Sequence, residues 1–140
     1  MNSFDFVDNL DLLRRLEFIV EIDKMKTVLR RTLLADGSRC ENDAEHSWHL
    51  AMIAMVLENY AAEKADMTKV IRMALVHDLV EVYAGDTFAY DEEGNLSKLQ
   101  RETDAADKLF ALLPSPTGEE LRALWEEFDE AETPEARFAC

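Results

Sequence analysis

The stretch Met73–Thr87, MALVHDLVEVYAGDT, decides how the rest of the chain is read. It sets His77, Asp78 and Glu81 among Ala74, Leu75, Val76, Leu79, Val80 and Val82. The spacing predicts a single helical turn carrying three polar groups on an otherwise apolar face, with neighbours three and four apart about 5–6 Å from each other at Cβ. Taking an imidazole and two carboxylates away from water costs several kcal/mol unless they are paired or hold a cation. His77 and Asp78 lie about 100° apart around a helix, so a ring nitrogen and a carboxylate oxygen converge on one divalent ion from adjacent positions. Glu81 then faces the same pocket. A buried His77–Glu81 pair that only braces helix packing has the same spacing, and spacing alone does not separate the two readings.

Outward from this stretch the chain reads as consecutive helices, and the expected fold class is all-α. Asp8 or Asp11 starts a helix with apolar residues Leu12, Leu13, Leu16, Phe18, Ile19 and Ile22 at the 3.6 period. Lys24, Lys26, Arg30 and Arg31 follow as the one strongly basic region, readable either as charge at a helix C-terminus or as an anion site. Asp36-Gly37-Ser38 marks a turn. Asn42 or Asp43 opens a helix over 44–63 that is too apolar to face solvent all round. Asp66 caps the next, which carries the opening stretch as far as Gly85. A fourth helix spans about 96–113 and stops at Pro114 and Pro116. Thr117 and Glu120 form a capping box for a fifth, and Thr133-Pro134-Glu135 opens a short sixth. No strand of period two is expected.

The remaining histidines, His46 and His49, stand near the start of the second helix, and a third metal ligand would come from one of them; spacing does not choose between the two. At 1.5 Å per residue, His46 lies about 25 Å and His77 about 16 Å from the interhelix turn. A shorter second helix or a crossed pair removes that offset.

Composition narrows the class. At 140 residues the chain is a single domain over 1–140, long enough to bury about 68% of its unfolded surface. Its two cysteines suggest neither a disulfide framework nor a cysteine zinc site, and the chain is expected to be cytoplasmic, with no membrane partner. Thirty acidic against fifteen basic residues give a net charge of −15, which repels a phosphate polymer; nucleic acid is not an expected partner. A small anionic substrate is compatible where a metal and a local arginine reverse the field.

Arg39-Cys40-Glu41-Asn42-Asp43-Ala44-Glu45-His46-Ser47-Trp48, then His77-Asp78-Leu79-Val80-Glu81 and Asp86-Thr87, resemble the HD-domain metal-dependent phosphohydrolases, most closely their 5′-deoxynucleotidase branch. The resemblance runs from Leu12 to Phe138 and implies a helical bundle of five to six helices. It implies one divalent transition-type metal (Co, Mn, Zn, Fe or Ni) held by His46, His77 and Asp78, with Glu81 and Asp86 as catalytic residues. Arg31 falls in the region of the branch's substrate-contacting arginine. The implied activity is hydrolysis of (deoxy)nucleoside 5′-monophosphates to nucleoside and phosphate, and a homodimer is expected. Alternatives are an HD-fold hydrolase of another phosphoester or signalling nucleotide, and a non-catalytic helical module with a degenerate metal site. The family's last aspartate ligand would fall a few residues after Phe138, so the domain is expected to lack the end of its C-terminal helix. Asp129 lies in the fifth helix and does not match that motif.

Overall fold

A computed structural model of the chain describes residues 8–84 and 92–140. Helix α1 (Leu10–Ile22) starts at Asn9, whose side chain accepts the Leu12 N–H, and not at either nearby aspartate. A 3₁₀ turn (Asp23–Thr27) leads into strand β1 (Leu29–Leu33), which pairs antiparallel with β2 (Cys40–Asn42). The expected absence of strands is therefore corrected. The pairing is irregular between Leu29 and Leu33, and all of β1 except Arg30 is exposed, so no period-two burial marks the segment. The hairpin closes at the predicted turn, where Asp36 Oδ1 accepts the Ser38 N–H at 2.9 Å and Gly37 takes φ 73°.

Helix α2 (Asp43–Val56) is capped by Asn42, whose Oδ1 accepts the Glu45 N–H at 2.9 Å while its Nδ2 donates to Glu45 Oε1. It ends seven residues before the sequence expectation. Nor is it buried all round: Asp43, Ser47, Ala51 and Ala54 form the buried stripe, while Trp48, Met52, Met55 and Val56 are exposed. The stripe is made of small side chains, which lets α2 pack closely on α3 (Met67–Val76). Asp66 caps α3 through the N–H groups of Thr68 and Lys69.

α3 is the centre of the fold, with Val70, Met73 and Ala74 wholly buried, and α2, α6 (Thr117–Glu130) and α7 (Pro134–Ala139) pack around it. The six-residue α7 is too short to persist alone, and it is held by burial of Ala136 and Ala139 and by the Thr133 cap on the Ala136 N–H. After a tight turn comes α4 (Glu81–Ala84), against which α5 (Glu92–Phe110) packs. Phe18, Met25, Val80, Leu109, Phe110 and Leu124 extend the same core. The capping box expected at Thr117 does not form: Pro116 precedes the helix, and Thr117 Oγ1 instead accepts from Arg15 Nη1 at 3.1 Å. Gly118 allows α6 to enter beneath the end of α5, since a Cβ there would lie 2.5 Å from the Phe110 carbonyl oxygen. The class is all-α, with one small hairpin attached.

Candidate metal centre

The opening stretch is not one continuous helix. α3 stops at Val76, and residues 77–80 tighten into a turn in which Leu79 and Glu81 donate to the carbonyls three residues back, Val76 and Asp78. The tightening turns His77 and Asp78 together onto the side of α3 that faces α2. Because α2 ends at Val56, the offset between His46 and His77 disappears, and their ring centroids lie 5.4 Å apart. His49 is exposed, its ring stacked beside Trp48. The structure thus separates two histidines that spacing left equivalent.

His46, His77 and Asp78 each present one donor atom, and these atoms lie within 4.8 Å of one another. Their orientation is fixed from behind. Nδ1 of His77 donates to the Ala74 carbonyl oxygen at 2.6 Å, and Nδ1 of His46 donates to Glu41 Oε1 at 3.1 Å. Since a carbonyl and a carboxylate only accept, each neutral imidazole carries its proton on Nδ1 and turns a bare Nε2 inward. Nε2 of His77 is 3.2 Å, and that of His46 3.9 Å, from the same oxygen, Asp78 Oδ2. Lone pairs so close repel unless a positive charge stands among them. Two imidazoles and one carboxylate, each braced by an outer partner, are the donors that transition-type divalent ions take. The chemistry and mutual proximity of these three donors fit such an ion.

Among the described residues, Glu41, Asp43, Asp78 and Glu81 are buried carboxylates here. Burial pushes the Asp78 carboxyl up, yet when the imidazoles are protonated on both nitrogens the hydrogen bond and charge of His77, with the charges of Arg30 and His46, outweigh it and hold Asp78 below the usual carboxylate range. Glu102 on α5 is pushed up, by burial first and then by the negative charges of Asp129 and Asp78. Phe128 on α6 lies against His77 with ring centroids 4.6 Å apart.

Arg30 enters this group from β1. Its Nη1 lies 2.8 Å from Asp78 Oδ2 and 3.6 Å from Asp43 Oδ1, and its Nε lies 3.5 Å from Glu41 Oε1. Arg31, the arginine singled out from sequence, is exposed on the other side of the strand. Asp86 lies outside the described residues. Arg30, Glu41 and Asp43 are the members that sequence reading missed, having been read as part of a basic cluster, a motif neighbour and a helix start. Alternation on the two short strands would have paired Arg30 with Glu41, had the strands been recognised.

This arrangement defines a helical domain with a His/His/Asp centre and a glutamate beside it. The chain belongs to the HD domain family, which it matches over residues 22–140. It is 53% identical, with a TM-score of 0.85, to a protein of Magnetospirillum magnetotacticum described as a predicted metal-dependent phosphohydrolase, covering 92% of this chain and 64% of that one. It is 29% identical, with a TM-score of 0.68, to the PH0347 protein of Pyrococcus horikoshii, over 89% of this chain and 69% of that one. Among curated proteins it is 31% identical over 124 residues to the human (Homo sapiens) 5'-deoxynucleotidase HDDC2, over 88% of this chain and 59% of the relative. The Dictyostelium discoideum 5'-deoxynucleotidase HDDC2 is 32% identical over 127 residues, over 86% of this chain and 67% of that relative. The chain thus spans about three fifths of the human relative's length. No helix among the described residues is long and apolar enough to cross a membrane.

Proposed function

We propose that this chain is a metal-dependent phosphomonoesterase that hydrolyses a nucleoside 5′-monophosphate, a deoxynucleotide above all, to nucleoside and phosphate. The observation that carries the reading is the convergence of His46 Nε2 and His77 Nε2 on Asp78 Oδ2 beside the Glu81 carboxylate. The names of the similar proteins support the reaction type and the substrate class.

When bound, a divalent ion supplies Lewis acidity, acidifying water and polarising a phosphoryl oxygen. His46, His77 and Asp78 would hold it. Glu81 takes the proton of the attacking water as the new P–O bond forms; the ester bond breaks with its electron pair going to the 5′ oxygen, which receives that proton back from Glu81, and the nucleoside leaves as its alcohol. Asp86 shares in positioning that water. Arg30 holds the carboxylates in place and presents further N–H donors of its guanidinium to the phosphoryl group. Arg31, exposed one residue along, meets substrate farther out.

A cavity of about 580 Å³ opens beside His46, lined among others by Thr32, Leu33, Glu45, Trp48, His49 and Ile53. Its size is that of a small-ligand site, and the stacked rings of Trp48 and His49 offer a platform for a nucleobase. The apolar residues exposed on α2 support the expected dimer, which sedimentation velocity tests. Free Cys40 and Cys140 fit a reducing compartment such as the cytoplasm.

Phosphate release by the purified chain, loaded in turn with Co²⁺ and Mn²⁺ and given each nucleoside 5′-monophosphate, tests the reading. The expected result is metal-dependent release that Glu81→Gln reduces by about 10²–10⁴-fold while the metal content stays unchanged. Metal-loaded chain that releases no phosphate from any of these substrates overturns it.

A further inference from the structure

Glu81 stands on a helix too short to hold its own orientation. α4 has four residues, and the N–H groups of Glu81, Val82 and Tyr83 donate to carbonyls three residues back, those of Asp78, Leu79 and Val80. Rotating such a turn by about 20° moves a side-chain tip lying about 5–6 Å from the helix axis by about 2 Å. Val82 packs against the core, but apolar contact is non-directional and sets a rotation less sharply than a hydrogen bond does. Tyr83 supplies the direction. It comes two residues after Glu81, about 200° farther round, and so leaves the opposite side of the turn. Its hydroxyl donates to the Glu21 carboxylate on α1, which Lys24 Nζ holds at 2.6 Å. Lys108 Nζ on α5 stands 4.0 Å from the centre of the tyrosine ring, and Lys24 Nζ, on the 3₁₀ turn, 6.0 Å from it. One side chain thereby ties the outer side of α4 to three other elements.

We infer that Tyr83 is a positioning residue for Glu81, its bond to Glu21 and its stacking under Lys108 fixing the rotation of α4, an assignment that rests on Glu81 acting as the proton acceptor in the proposed hydrolysis. A hydroxyl donating to a carboxylate makes a charge-assisted bond, short and directional. The Glu21–Lys24 pair it joins lies near the surface, where ion pairs add little to the stability of a fold. The network therefore serves local orientation more than global stability. Orientation is what general-base chemistry is sensitive to, since a misplacement of about 1 Å by a residue away from the reacting atoms costs about 10²-fold in rate. Removing the hydroxyl alone should loosen α4 while the core around Val70, Met73 and Leu109 stays packed.

Two readouts on the Co²⁺-loaded chain test this: steady-state kinetics with nucleoside 5′-monophosphates, and amide hydrogen exchange at residues 81–84. Tyr83→Phe should lower kcat about tenfold with KM and Co²⁺ affinity unchanged, and should speed exchange at 81–84 about tenfold while α3 stays protected. Glu21→Ala should do the same, whereas Glu21→Gln, whose amide oxygen still accepts the hydroxyl, should stay near wild type. In a Glu81→Gln background, Tyr83→Phe should cost nothing further, because its effect passes through Glu81. Arg14→Ala, which weakens the fold elsewhere, should leave kcat and the 81–84 amides unchanged. A Tyr83→Phe chain with wild-type kcat overturns the inference, as does a further tenfold loss on top of Glu81→Gln. If Tyr83→Phe does not fold, Glu21→Ala against Glu21→Gln decides by the same criteria. A wild type that hydrolyses no nucleotide, yet whose 81–84 amides are loosened by Tyr83→Phe and not by Glu21→Gln, sinks the functional proposal and leaves the anchoring of α4 standing. An active wild type with neither kcat nor exchange altered in Tyr83→Phe does the reverse.

Discussion

Nδ1 of His77 lies 2.6 Å from the carbonyl oxygen of Ala74, one turn earlier in the chain, and this contact decides which ring nitrogen faces Asp78. Glu41 does the same for His46 from the neighbouring strand, at 3.1 Å. Outer partners of this kind usually change metal affinity by about 10–100-fold when removed. Glu41→Gln should therefore weaken metal binding by about that factor while leaving the fold intact, and His77→Gln should abolish stoichiometric binding. Calorimetric titration with Co²⁺ checks both. Equal affinities in wild type and Glu41→Gln would show that His46 needs no bracing.

Arg14 on α1 closes the far end of α5. Its Nη2 donates to the carbonyls of Ala111 at 2.8 Å and Leu113 at 2.9 Å, and its Nε to Leu112 at 3.2 Å. These carbonyls sit at the negative end of the helix, where a guanidinium is favoured both as donor and as charge. Arg14→Ala should lower stability by about 2 kcal/mol, and Tm by roughly 6 °C in a domain of this size. Arg14→Lys should recover less than half of the loss, because an ammonium cannot fork across three acceptors. Thermal unfolding followed by circular dichroism reads both.

Ala131 ends α6 with φ 54° and ψ 35°, donating its N–H to the Glu127 carbonyl. The left-handed conformation crowds its Cβ, and glycine adopts it without that penalty. Ala131→Gly should raise stability by about 0.5–1 kcal/mol, and Ala131→Val should lower it. Urea midpoints that move in the opposite order would contradict the cap assignment.

Tyr83 on α4 has its phenol pushed up to about 12, by burial first and then by its hydrogen bond to Glu21 and that group's negative charge. A folded-state value above the ordinary 10.0 stabilises the fold in full below pH 10 and loses that contribution as pH rises through 12. Ultraviolet titration should therefore show one tyrosinate step near pH 12 that is missing in Tyr83→Phe. The variant's stability should also fall less steeply than that of wild type between pH 10 and 12. Lys108 Nζ stands 4.0 Å from the centre of the same ring, so Lys108→Ala should leave the tyrosinate step present.

The sequence by itself determined the helices and the chemistry available to them. Apolar residues at the helical period placed α1, α3, α5 and α6, and short-range capping placed Asp66 and Thr133 and narrowed the start of α2 to Asn42 or Asp43, because these signals depend only on neighbours a few residues away. The polar turn at 77–81 also stood out, since polar groups in an apolar run are costly wherever the chain folds. What neighbours along the chain cannot specify is which distant groups meet. The choice of His46 over His49 depended on where α2 ends and how it lies on α3. The presence of Arg30 beside Asp78 depended on a hairpin whose strands are short, exposed and irregularly paired, and so have no periodicity to read. Long-range pairing decided those positions, and with them the balance of charge around Asp78.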